Sequence, residues 1–134
     1  MLTEKETSYV KSQPLARIGT VTASGQPDVS PVNFDFDGQF FYVGDGENQN
    51  SRKYINIRND NNHVAIAIDD INPNDPNDFR GFKLHGTADF VERDEGCVGK
   101  GVYIRIKPAM TWSWGVEGAV FEDGKFVVNK TSWS

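Results

Sequence analysis

Ser51-Arg52-Lys53 stands where an irregular run, Gly44-Asp45-Gly46-Glu47-Asn48-Gln49-Asn50, gives way to Tyr54, Ile55 and Arg58 at helical spacing. A short helix from Arg52 to about Asn59 with Ser51 as its N-cap sets a hydroxyl and two cations beside unpaired backbone amides. That combination suits a phosphate group. The glycine- and asparagine-rich run before it lets backbone come close to a bulky ligand. The same residues also describe a capped helix start whose cations face water. Cations in a first turn oppose the helix dipole, and an anion seated with them removes that conflict.

Ser30-Pro31-Val32-Asn33 is a second candidate. Proline inside a strand removes a ladder donor, so the strand is an edge, a bulge or irregular there. Backbone groups freed beside such a kink can address the polar rim of a planar ring; an ordinary edge-strand proline explains them equally. Trp112 and Trp114 share one face of an extended segment with Ser113 opposite. They can wall a flat ligand, form a subunit contact or pack in the core. His63 and His85 lack cysteine, histidine or paired glutamate partners at ligand spacing, so no metal site is expected. Cys97 has no evident dyad partner, and Asp69-Asp70 lacks the spacing of a calcium loop. These read as structural residues.

The elements that position such residues are short. Thr3-Glu4-Lys5-Glu6 is a capping box, predicting a helix through about Lys11 that closes before Pro14. From Leu15 the pattern alternates, with Ala16, Ile18 and Thr20 on one face; Ala23-Ser24-Gly25-Gln26 connects to a second strand, Asp28 to Phe36. Asp37-Gly38 turns into a third strand ending at Val43. Asp60-Asn61-Asn62 ends the helix after Ser51, and His63 to Ile68 reads as a strand buried on both faces. An exposed loop from Asp69 to Asp78 follows, then a long bent strand from Phe79 to Glu92 with Gly81 and Gly86 as sites of a bulge or bend. Val102 to Lys107 is a strand stopped by Pro108, with Thr111 to Trp114 beyond it, and Glu122-Asp123-Gly124-Lys125 marks a last hairpin. Many short antiparallel strands must hide their edges, and a small barrel with one or two short helices does so.

Length and charge bound what such a barrel does. At 134 residues it is one domain, large enough to bury a core without metals or disulfides. A formal charge of -5 with scattered Lys and Arg disfavours nucleic acid as a partner. No apolar run spans a bilayer and the N-terminus lacks a secretory pattern, so a cytoplasmic, reducing setting is expected, in keeping with one cysteine.

Taken in order, these segments resemble the pyridoxamine 5′-phosphate oxidase-like superfamily of FMN-binding split barrels. The resemblance is carried by Leu15-Ala16-Arg17-Ile18-Gly19-Thr20-Val21, Gly25-Gln26-Pro27, Val29-Ser30-Pro31-Val32, Phe41-Tyr42-Val43, Ser51-Arg52-Lys53 and Val64 to Asp69. Arg80-Gly81, His85-Gly86-Thr87-Ala88 and Ile104 to Pro108 leading into Ser113-Trp114-Gly115 are similar to its coenzyme F420-dependent branch. The resemblance implies a six-to-eight-stranded antiparallel split β-barrel of Greek-key type with short helices, paired as a homodimer with cofactor sites at the interface. It implies FMN or coenzyme F420 as cofactor, with Arg52 and Lys53 on the phosphate and Ser51 nearby. Ser30, Pro31, Val32 and Asn33 then lie along the ring, and Trp114 reaches the site from the partner subunit. The implied activity is hydride transfer to a small conjugated acceptor; a flavin- or haem-binding carrier or sensor is the alternative. The chain lacks the C-terminal arginine and histidine pattern that holds pyridoxal phosphate, so vitamin B6 synthesis is not expected.

Overall fold

The computed structural model describes residues 1–45, 49–59 and 61–133. Gly46, Glu47 and Asn48 of the irregular run, and Asp60 of the expected helix end, lie outside the described residues. The first element, α1 (Glu4–Ser12), starts on the expected capping box: Thr3 Oγ1 accepts from the Glu6 amide and the Glu6 carboxylate accepts from the Thr3 amide, both at 3.1 Å. Glu6, Tyr9 and Val10 form its buried face. The second carboxylate oxygen of Glu6 accepts from Ser113 Oγ at 2.5 Å, tying the helix to the far end of the chain.

Strand β1 (Ala16–Val21) buries Ala16, Ile18 and Thr20, the face the alternation predicts. Gly25 takes φ +93° in the turn to β2 (Pro27–Val32). The expected single strand to Phe36 is in fact two, because β3 (Phe34–Phe36) leaves β1 and pairs with β4 (Phe41–Val43) instead. Helix α2 (Arg52–Arg58) then leads to β5 (His63–Ile71), which extends into the segment expected to be a loop. The strand expected to be buried on both faces is buried on one. Val64, Ile66 and Ile68 face the core, while Ala65 is half-buried and Ala67 exposed. Alanine fits either face, and no element among the described residues packs over the outer one.

Strands β6 (Phe79–Arg93) and β7 (Gly101–Trp114) form the longest ladder. Pro108 does not stop β7. The register shifts between His85 and Gly86, so Pro108 falls beside a bulge, where proline is tolerated. Gly86 is required there by close approach: a Cβ would stand 2.4 Å from the Lys107 carbonyl oxygen. Gly81 carries no bulge, since its register opposite Trp114 is unbroken; a Cβ there would stand 2.1 Å from the Trp114 ring. The hairpin of β8 (Phe121–Glu122) and β9 (Lys125–Phe126) stands where expected. Strand β10 (Asn129–Ser132), polar and without an apolar alternation, is not evident in the sequence; it pairs with Met110–Ser113 of β7.

The main sheet runs β2-β1-β5-β6-β7-β4-β3, antiparallel throughout, with β10 beside the second half of β7. β4 returns through α2 to lie beside β7 of the β5-β6-β7 meander, which makes a Greek key. The outermost strands, β2 and β3, are separated only by Asn33. The sheet must therefore curl until its two edges meet at that residue, giving a barrel split where they meet. Ile18, Phe41, Ile66, Ile68, Phe82, Leu84, Ile104 and Ile106 fill it, with Phe41 stacked on Phe36 and Phe82 at 4.4 and 5.8 Å. No helix among the described residues is long and apolar enough to cross a membrane.

Candidate functional site

Helix α2 packs on β1 and β2, and one buried hydrogen bond fixes its height there, from Asn56 Nδ2 to Thr20 Oγ1 at 2.9 Å. Tyr54 holds it from the other side. Its ring stacks on Phe90 at 5.7 Å, its hydroxyl donates to the Val102 carbonyl at 2.7 Å, and burial pushes that hydroxyl up to about 12.

Between these anchors Lys53 turns inward. Its side chain is only 7% exposed, and its Nζ lies 2.6 Å from Asp45 Oδ2 and 3.2 Å from Ser51 Oγ. Ser51 takes the N-cap backbone conformation, but its side chain makes no capping bond. The expectation of a side-chain cap is thus corrected: the hydroxyl accepts from Lys53 instead, because the ammonium is the stronger donor. Arg52 is exposed, and Arg58 at the other end of α2 donates to the Gln49 carbonyl at 2.9 Å. Of the two expected cations, then, one is buried in a polar seat and one faces outward.

Ser30, Pro31 and Val32 lie in β2, the edge strand, opposite Ile18, Arg17 and Ala16. Ser30 is half-buried and Val32 buried, Pro31 is exposed, and Asn33 occupies the break between the two sheet edges. α2 touches β1 at Thr20, which pairs with Asp28, so Ser30 is two residues, about 7 Å, further along the same strand. Helix α2, which carries Arg52 and Lys53, and strand β2, which carries Ser30 to Val32, are thus in contact. Trp114 does not join them within one chain. It sits on β7, three strands from β1 and about 14 Å across the sheet.

The outer faces of β1, β2, β5 and β6 enclose a groove of about 420 Å³, lined by Gly19, Val21, Pro27, Val29, Ala65, His63, His85 and Thr87 among others. Its floor is made of small residues. Trp112 stands beside it, its ring 4.7 Å from His85 and under the Lys83 ammonium at 4.6 Å. Cys97 is a poor nucleophile: desolvation and the Asp35 carboxylate push its thiol up to about 11. Among the described residues no cluster of His, Cys, Asp and Glu is arranged to hold a metal ion.

Asp45 is the site residue that sequence reasoning passed over, since it lay in a run read only as irregular. The available signal was its charge, opposite to that of Lys53 eight residues on.

A model of the pyridoxamine 5′-phosphate oxidase family matches residues 2–124. The chain belongs to that family. It is 34% identical over 123 residues to the 5a,11a-dehydrotetracycline/5a,11a-dehydrooxytetracycline reductase of Streptomyces rimosus, covering 87% of this chain and 84% of that one. Among solved structures it is similar in fold to the conserved hypothetical protein Rv2991 of Mycobacterium tuberculosis, with a TM-score of 0.70, 20% identity and 85% of each chain covered. An F420 reductase matches with a TM-score of 0.61 and 21% identity over 83% of this chain and 98% of that one. Both likenesses show the split-barrel fold, as the resemblance in the sequence implied.

Proposed function

We propose that this protein is a flavin-type oxidoreductase that holds FMN or coenzyme F420 by its phosphate at Lys53 and Ser51, with Arg52 at the rim. The observation that carries the reading is the buried Lys53 ammonium, which already holds an oxyanion at 2.6 Å beside a hydroxyl. That donor set fits a phosphate oxygen. When bound, the cofactor ring supplies hydride chemistry. The chain's own contribution is to anchor and orient: Lys53 and Ser51 fix one end, while the backbone and side chains of Ser30, Pro31, Val32 and Asn33 run along the ring. No side chain is given a proton to transfer. A dehydrotetracycline reductase among the relatives supports a small unsaturated organic acceptor.

A homodimer with its sites at the interface is part of the proposal. Its support is the outer face of the sheet, where Val29 is 67% and Leu15 47% exposed beside Ala67, and where Trp112 and Trp114 stand outward. A second copy covering that face would bring its Trp114 to the first copy's ring-binding segment.

Titrating apo-protein with FMN, F420 and riboflavin by ring fluorescence tests the reading. Lys53→Ala is expected to weaken binding of the phosphorylated cofactor by about 1.5–3 kcal/mol, the scale of a hydrogen bond to a charged group, and to leave riboflavin unaffected. Binding that ignores Lys53 refutes the seat. Binding without acceptor-dependent reoxidation would make the protein a carrier, and sedimentation analysis reads the dimer directly.

A further inference from the structure

Lys53 does not stand open to an incoming anion, because the Asp45 carboxylate already occupies it at 2.6 Å. We infer that Asp45 is the resident counter-ion of this seat, an internal competitor that a phosphate monoester must displace and that sets the seat's preference for doubly charged anions. The inference rests on the phosphate reading of the same site.

An ammonium has three donors, and here two go to Asp45 and Ser51. A phosphate monoester brings about -1.5 to -2 charges near neutral pH. Two anions of that combined charge do not share one ammonium that is 7% exposed, since each raises the cost of ionising the other. One must leave, and the surroundings decide which. Lys53 is enclosed on α2, whereas the Asp45 side chain is 26% exposed and has water to move into. Its backbone cannot follow. Gly44 before it is buried so closely against Tyr103 that a Cβ would stand 2.6 Å from the ring. The exchange is therefore a rotation of one side chain. A singly charged carboxylate gains nothing over Asp45, nor does a singly charged phosphodiester such as that of coenzyme F420, while a phosphate monoester does, so the competitor selects FMN of the two proposed cofactors.

The test compares wild type, Asp45→Asn and Lys53→Met in phosphate-free buffer, titrated with FMN and with riboflavin. Asp45→Asn is expected to bind FMN about tenfold tighter than wild type, with riboflavin unchanged within about twofold. As a reading independent of any ring, inorganic phosphate should raise the melting temperature of Asp45→Asn more than that of wild type, and acetate, without effect on wild type, should raise that of Asp45→Asn, because the preference for doubly charged anions leaves with Asp45. Asp45→Ala serves if the asparagine variant folds poorly, with the same expected direction. If Asp45→Asn binds FMN no tighter while wild-type binding still depends on Lys53, the competitor role is overturned and the phosphate seat stands. If Lys53→Met binds FMN as wild type does, the phosphate seat fails, and the competitor role fails with it.

Discussion

Replacing Lys53 with methionine and Asp45 with asparagine breaks one ion pair from its two ends, and the two ends are unequally buried. The Lys53 side chain is 7% exposed and that of Asp45 26%. Removing one member of a fully buried pair costs about 3–5 kcal/mol, because the survivor keeps a charge without a partner. In Lys53→Met the survivor is the carboxylate, which water reaches, so the cost should fall to about 1–2 kcal/mol. In Asp45→Asn the survivor is the enclosed ammonium, left with Ser51 Oγ at 3.2 Å and an amide oxygen; about 2–4 kcal/mol is expected. Asparagine should therefore lower stability more than methionine by about 1 kcal/mol or more, which for a domain of this size is about 3–5 °C in melting temperature. Urea unfolding with an unchanged m-value is the measurement, in buffer free of phosphate. The double variant should cost less than the sum of the singles by about 1–3 kcal/mol. Equal costs at the two ends, or an additive double variant, would refute the account of Lys53 as an enclosed charge that depends on Asp45.

Phe82 is fully buried and stacks on Phe41, so Phe82→Ala should cost about 3–5 kcal/mol in chemical denaturation. Gly86→Ala puts a methyl group against the Lys107 carbonyl oxygen of a strand paired on both sides; a loss of about 2 kcal/mol or more is expected by thermal unfolding. The Cys97 thiol, raised from 9.0 to about 11, holds its proton longer in the folded chain than in the unfolded one. Its contribution to stability is complete below pH 9.0 and is lost as pH rises through about 11, and iodoacetamide labelling of the folded protein should reach half its limiting rate near that upper value.

The elements that are legible in the sequence are those governed by neighbours along the chain. The capping box at Thr3 and Glu6, the inward set of β1, the turn at Gly25 and the start of α2 all arise from local backbone preference and periodicity. Misreadings occur where a distant strand decides. Pro108 stays within β7 because β6 opposite it shifts register at Gly86. The segment from Asp28 to Phe36 divides at Asn33 because its halves pair with β1 and β4 on opposite edges of the sheet. β10 forms because β7 offers it an open edge, and its own residues carry little strand signal.

The candidate site divides along the same line. Residue type and spacing were enough to draw Ser51, Arg52 and Lys53 together at one turn of chain, since residues two apart at a helix start cannot be far from each other. Which cation turns inward was a matter of packing: Tyr54 on Phe90 and Asn56 on Thr20 set the roll of α2, and that roll buries Lys53 and exposes Arg52. The position of Asp45 against Lys53 likewise depends on Gly44 lying against Tyr103, a contact between residues 59 positions apart that no local rule foresees. Local sequence determined which groups are available near α2; long-range packing decided which of them face each other, because burial is a property of the whole folded chain.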